Sequence, residues 1–128
     1  MPENTFRILI VDDEALVCWS LSRALQEEGY EVSTVQSGEE ALDIMTECKF
    51  DLVVTDLRLP QLNGMDLLRE IKRRFPQCKV LMISAFGTPK VRDEAMKEGV
   101  LQFFDKPFDI KELRESVRFA LGTTNSTA

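Results

Sequence analysis

The chain contains no histidine. That excludes histidine acid–base catalysis and phosphohistidine formation on this chain, and leaves such chemistry to a partner. Cysteine is scarce: Cys18, Cys48 and Cys78 are far apart, odd in number, and form no C-x-x-C pair. Neither a disulfide framework nor a zinc site is indicated, and the pattern suits reduced thiols in a cytoplasmic protein. Positive charge is in deficit, with 16 Lys and Arg against 22 Asp and Glu and a formal net charge of −6. Phosphate backbones need clustered basic residues, so direct nucleic-acid binding is not expected. No apolar run reaches the length of a membrane span, and the N-terminus stays polar up to Thr5, so neither a membrane segment nor a signal peptide is read. No GxxxxGK[ST] or GxGxxG loop follows the first apolar run, which argues against a nucleotide-binding module.

What is present is alternation. Five short apolar runs, Ile8–Val11, Val32–Val35, Leu52–Thr55, Val80–Ile83 and Leu101–Phe104, are separated by segments of helical spacing. Near-continuous apolarity in the first, third and fourth runs predicts strands covered on both faces; the mixed second and fifth belong nearer the edges. Helical stripes run through Val17, Leu21 and Ala24; through Ala41, Ile44, Met45 and Cys48; through Met65, Leu68, Ile71 and Phe75; and through Ile110, Leu113, Val117 and Leu121. The segment Lys90–Glu98 is the weakest helix, with only Val91, Ala95 and Met96 apolar. Ser37-x-x-Glu40 and Asp109-x-x-Glu112 have the form of helix starts, Thr88-Pro89 supplies a cap and a first-turn proline, Gly29, Gly99 and Gly122 sit at helix ends, and Pro76 closes the third helix. Strands alternating with helices predict an α/β fold with a parallel sheet and right-handed crossovers. Residues 122–128 read as a linker or truncated tail.

In such a sheet the carboxyl ends of the strands share one edge, and chemistry collects there. The first strand is followed by Asp12 and Asp13, the third by Asp56, the fourth by Ser84 and Ala85, and the fifth by Lys106 and Pro107. Each has an ordinary explanation alone: Asp12 or Asp13 as a helix cap, Asp56 as a turn former, Ser84 as a strand end, Lys106 as a surface charge. Their joint placement is harder to explain that way. Carboxylates held close raise one another's proton affinity or recruit a cation, and Mg2+ takes few carboxylates while leaving room for a phosphate oxygen. A carboxylate can also act as a nucleophile toward phosphorus, with a nearby ammonium neutralising charge.

Four motifs, ILIVDDE (Ile8–Glu14), TDLRLPQLNG (Thr55–Gly64), ISA (Ile83–Ala85) and DKPF (Asp105–Phe108), appear in this order. Through them the chain resembles the receiver domains of two-component response regulators over residues 5–121. The SAFGT stretch (Ser84–Thr88) is similar to receivers attached to enhancer-binding transcriptional activators of the nitrogen-regulator type. The resemblance implies a flavodoxin-like, doubly wound five-stranded sheet in the order 2-1-3-4-5 with five helices. It implies Asp56 as phosphoacceptor, with Lys106 and Ser84 assisting, and a Mg2+ ion held by Asp13 directly, Asp12 largely through water, Asp56, and the backbone carbonyl of Arg58. It further implies a cis Lys106–Pro107 bond and a switch pair, Ser84 and Phe103, with the ring turning inward on phosphorylation and Phe104 packed as core. Arg58 and Phe86 fall at positions that tune the phosphoryl lifetime. The expected donor is a sensor histidine kinase or a histidine phosphotransfer protein, and the expected output is a changed surface of helix 4, strand 5 and helix 5, acting on an effector domain or target protein. Lys90, Arg92, Asp93, Asp105, Lys111, Glu112, Arg114 and Arg118 on that surface would suit a homodimer held by ion pairs. An aspartyl phosphatase would want an acid two residues after the nucleophile, where Arg58 stands, and a pseudo-receiver would lack the acid trio.

Overall fold

The computed structural model describes residues 5–122; the tail expected over 122–128 therefore lies, beyond Gly122, outside the described residues. Ten elements alternate: β1 (Arg7–Val11), α1 (Ala15–Glu27), β2 (Glu31–Val35), α2 (Gly38–Glu47), β3 (Leu52–Asp56), α3 (Gly64–Arg74), β4 (Lys79–Ser84), α4 (Pro89–Lys97), β5 (Gln102–Asp105) and α5 (Ile110–Leu121). The strands form one parallel sheet in the order β2-β1-β3-β4-β5, as the alternation and the resemblance led us to expect.

Strand alternation divides the core between two faces. Leu9, Val11, Val53, Val80, Met82 and Phe103 meet α2, α3 and Ala95 of α4. Ile8, Ile10, Leu52, Val54, Leu81, Ile83 and Phe104 meet Cys18, Leu21 and Leu25 of α1 and Leu113 and Val117 of α5. Hence β3 is buried along its whole length, whereas β2 has no fully buried residue and β5 is exposed at both its ends. Each fully buried Leu or Ile contributes about 1.5–3 kcal/mol, so the three central strands carry most of the sheet's stability.

Local details refine the expected pattern. The last strand is shifted by one residue: Leu101 lies half exposed before β5, its N–H donating to the Val80 carbonyl (2.8 Å). Ser37 caps α2 by accepting from the Glu40 N–H (3.1 Å), but the Glu40 carboxylate returns to the Gln36 N–H (3.0 Å), one residue further out than a capping box has it. Thr88 caps α4 and Asp109 caps α5. The weak apolar pattern of α4 is real: Ala95 is its one buried residue and Met96 is exposed. Gly29, Gly99 and Gly122 take positive φ at helix ends.

The register brings the functional ends level. Val11 pairs with Thr55, Asp56 with Ile83, and Ser84 with Asp105. Asp12, Asp56, Ser84 and Lys106 therefore emerge from neighbouring strands at one edge.

Candidate functional site

Lys106 organises this edge. Its backbone N–H donates to the Ser84 carbonyl (2.8 Å), which pins the start of the β5–α5 loop to the end of β4. From there its side chain reaches across two strands. The ammonium donates to Asp56 Oδ2 (2.9 Å), Asp12 Oδ2 (3.0 Å) and Glu14 Oε1 (2.8 Å), which uses all three of its N–H bonds. The Lys106–Pro107 peptide is cis.

Asp12 and Asp56 each have a second anchor. Asp12, fully buried, accepts from the Glu14 N–H through Oδ1 (2.9 Å). It does not cap α1, whose N-cap is Glu14 with no side-chain bond. Asp56 accepts from the Arg58 N–H through Oδ1 (3.0 Å). Burial pushes the Asp12 carboxyl above the ordinary carboxylate range, against the Glu14 N–H and Lys106, with the charge of Asp56 adding to the rise. Burial works against the charge of Lys106, yet its bonds to Glu14, Asp56 and Asp12 outweigh that and hold the ammonium above the usual lysine value. Beneath the acids, Cys18 donates from Sγ to the Asp12 carbonyl (3.2 Å), and burial together with the Asp12 charge raises its thiol.

Asp13 is exposed, on the open side of the site. One carboxylate oxygen from each of Asp12, Asp13 and Asp56 lies within 4.8 Å of the others. Opposite ligands of one Mg2+ stand about 4.2 Å apart at metal–oxygen distances of about 2.1 Å, so the trio fits a single hard cation after a small contraction. Acidic oxygen donors with solvent on one side are also the right chemistry for an ion that keeps several waters.

The loops that frame the acids are tightly drawn. Gly64 donates to the Leu57 carbonyl (2.8 Å), and a Cβ at Gly64 would collide with the Asp56 carbonyl oxygen, so only glycine lets α3 begin so near the end of β3. Ser84 is fully buried and accepts from the Phe86 N–H through Oγ (2.9 Å), leaving its own proton free to donate. The exposed Phe86 ring lies 4.5 Å from the Arg58 guanidinium, so side chains of the β3–α3 and β4–α4 loops meet.

The structure thus brings Asp12, Asp13, Asp56, Ser84 and Lys106 together. The Arg58 backbone joins through its N–H on Asp56. Phe103 is not at the acidic edge itself: its ring is buried on the α4 side, while Phe104 faces α1 and α5, as alternation requires. The residue that sequence reasoning passed over is Glu14. It stands in the first motif, but its place at the helix start gave no sign that its carboxylate would share the lysine. Arg92, read only as a surface charge, also bonds into β5.

The comparisons with known proteins agree with this geometry. Residues 8–118 match the response regulator receiver domain family. The chain belongs to that family. It is 36% identical over 126 residues to the transcriptional regulatory protein ZraR of Escherichia coli (strain K12), covering 98% of this chain and 29% of ZraR. It is 35% identical over 112 residues to the sporulation initiation phosphotransferase F of Bacillus subtilis (strain 168), covering 88% of this chain and 90% of that protein. Among solved structures, the beryllofluoride-activated NtrC4 receiver domain dimer superposes with a TM-score of 0.87 at 32% identity, covering 91% of this chain and 96% of that one. The chain spans under a third of the length of the ZraR proteins it matches. As a receiver domain it is a phosphoacceptor signalling module whose state depends on phosphorylation, in a family whose partners are histidine kinases and output domains and whose acidic pocket takes Mg2+. No described helix is long and apolar enough to cross a membrane.

Proposed function

We propose that Asp56 accepts a phosphoryl group from a phosphohistidine on a sensor kinase or a histidine phosphotransfer protein, in the cytoplasm. The observation that carries this reading is the Lys106 ammonium, held 2.9 Å from Asp56 Oδ2 by a residue fifty positions away in the chain. An Asp56 oxygen attacks phosphorus, the P–N bond breaks, and the donor imidazole leaves with a proton, giving an acyl phosphate. Asp12, Asp13, Asp56 and the Arg58 carbonyl would hold Mg2+, which neutralises charge on the transferring group.

The chain's own groups do the rest. Lys106 is already beside the acceptor and pairs with a phosphoryl oxygen as charge builds. Ser84 turns its free O–H toward another oxygen. Water ends the signal by hydrolysing the acyl phosphate, which returns the Asp56 carboxylate and releases inorganic phosphate, and the Arg58–Phe86 pair at the site's mouth tunes how readily water enters. Because the added group carries roughly −1.5 to −2 charge, it shifts a two-state equilibrium, and movement of Ser84 repositions the loop to α4.

The output face is α4, β5 and α5, and it binds an effector domain, a target or a second copy. Of the charges expected to join two copies, several are engaged within the chain: Arg92 pairs with Asp105, Arg118 with Glu28, and Arg114 with Glu27. The exposed side chains of Met96, Leu101 and Phe119 are therefore the better support for a homodimer on this face.

Incubation with acetyl phosphate and Mg2+, followed by intact mass, tests the acceptor. Wild type gains one phosphoryl group and Asp56→Asn gains none; equal gain in both would remove Asp56 from the role.

A further inference from the structure

Glu14 takes a share of Lys106 that phosphoryl transfer to Asp56 does not call for. Its Oε1 accepts from Lys106 Nζ at 2.8 Å, beside the contacts of the same ammonium to Asp56 (2.9 Å) and Asp12 (3.0 Å). One ammonium with three N–H bonds thus serves three carboxylates, and none of the three is left for an incoming anion. The partners are not equal. Asp12 and Asp56 are buried, and a buried carboxylate that loses its cation is left badly solvated. The Glu14 side chain is 62% exposed, so water replaces the lysine there at little cost. Glu14 is the partner most easily given up.

The backbone of the same residue has separate duties. The Glu14 N–H donates to Asp12 Oδ1 (2.9 Å), and its carbonyl accepts from the Cys18 N–H (3.1 Å) at the start of α1. These bonds fix the root of the side chain and do not depend on what that side chain is. Asp12 therefore keeps its backbone anchor whatever stands at position 14. What the Glu14 carboxylate adds is a negative charge in contact with the ammonium that an anion at Asp56 needs.

We propose that Glu14 is a positioning residue that competes with the phosphoryl group for Lys106 and so holds down the affinity of the site for an anion at Asp56. Whichever N–H turns to the anion, the Glu14 carboxylate draws the ammonium toward solvent and repels the same oxygens. This deepens, and rests on, the reading of Asp56 as acceptor with Lys106 as its charge partner.

Beryllofluoride titrations at saturating Mg2+, followed by amide shifts around Asp56, test the competition. Glu14→Gln should bind beryllofluoride about two- to fivefold more tightly than wild type, the range of an exposed ion pair. Glu14→Asp keeps the charge but draws it back by one methylene, and should fall between the two. Titration with Mg2+ alone gives the second readout. Glu14→Gln should bind Mg2+ no more tightly than wild type, because a negative charge has been removed, whereas damage to the acid cluster would weaken both ligands. The competition is overturned if Glu14→Gln binds beryllofluoride as wild type does or more weakly, or if it binds both ligands more tightly, which would mean a general opening of the site. Equal affinities of Glu14→Asp and wild type would overturn it too, since contact with the ammonium would then not matter. A wild type without beryllofluoride-dependent shifts would bring down the acceptor reading and the role of Glu14 with it; binding by all three proteins at one affinity would bring down that role alone.

Discussion

The two ends of the same sheet are built to opposite rules. At the carboxyl edge, Asp12, Asp56 and Ser84 are buried, with Thr55 just below, and they are the buried polar or charged side chains among the described residues. At the amino edge, Met45, Cys48, Phe50, Phe75 and Cys78 line a largely apolar cavity of about 360 Å³. The strands between are alike in composition, so it is the residues just past each end that make one edge reactive and the other inert. Charge can be buried at the first edge because Lys106 returns to it from a distant loop; at the second, the Lys72 ammonium donates to the Cys78 backbone carbonyl (3.2 Å) and not to a buried acid. The comparison teaches that the site is a property of loop closure over strand ends, supported by a core that is indifferent to it.

The contrast breaks most completely at its centre. Asp56→Asn should abolish phosphoryl uptake from acetyl phosphate while leaving the fold intact, whereas Cys78→Ser at the other edge should leave uptake unchanged. Parallel intact-mass time courses check both halves.

Next in size are two changes to the support of the charged edge. Gly64→Ala drives a methyl into the Asp56 carbonyl and should cost about 3 kcal/mol in urea unfolding, as overpacking against backbone does. Lys106→Met leaves Asp12 and Asp56 facing each other with no cation and should cost about 3 kcal/mol, much of it recovered by millimolar Mg2+. A Lys106→Met protein as stable as wild type without metal would mean that the lysine does not hold the acids together.

A smaller effect follows from Asp12. Because burial raises its pKa in the fold, the neutral form is favoured there, and ionising it as pH rises through that folded value costs stability. A bound cation offsets this cost only when the carboxylate is charged. The rise in Tm caused by Mg2+ should therefore be larger at pH 8 than at pH 5, and Asp13→Asn should lower Mg2+ affinity by about tenfold, a loss of about 1.4 kcal/mol. Thermal melts across a magnesium titration measure both.

The mildest test concerns the inert edge and its thiols. Burial pushes Cys78 up to about 12 and, with Asp12, raises Cys18, while Cys48 is half exposed. In the native protein one thiol, Cys48, should react with a disulfide reagent, with the other two at least about tenfold slower. Peptide mapping of the modified chain identifies which.

Much of this was legible in the residues. The apolar runs marked the strands because β1, β3 and β4 are buried on both faces, and capping residues marked helix starts because unsatisfied N–H groups demand them. The acid trio, Ser84 and Lys106 were legible because each follows a strand, and parallel strands put such positions together. Glu14 and Arg92 were not. Both are charged residues at or near a helix start, a position with many uses, and their partners lie 92, 11 and 13 residues away. Only the folded register says which carboxylate shares the lysine and which carbonyl takes the guanidinium. The edge of β5 was misplaced by one residue because Leu101 is as apolar as a strand residue, though it stays half exposed.

The tie between the Lys106 amide and the Ser84 carbonyl makes one mechanical unit of the two groups that would grip an incoming anion. A displacement of the tip of β4 would therefore be felt at the root of the lysine. If both groups meet the anion, weakening that one peptide contact should loosen their movement together.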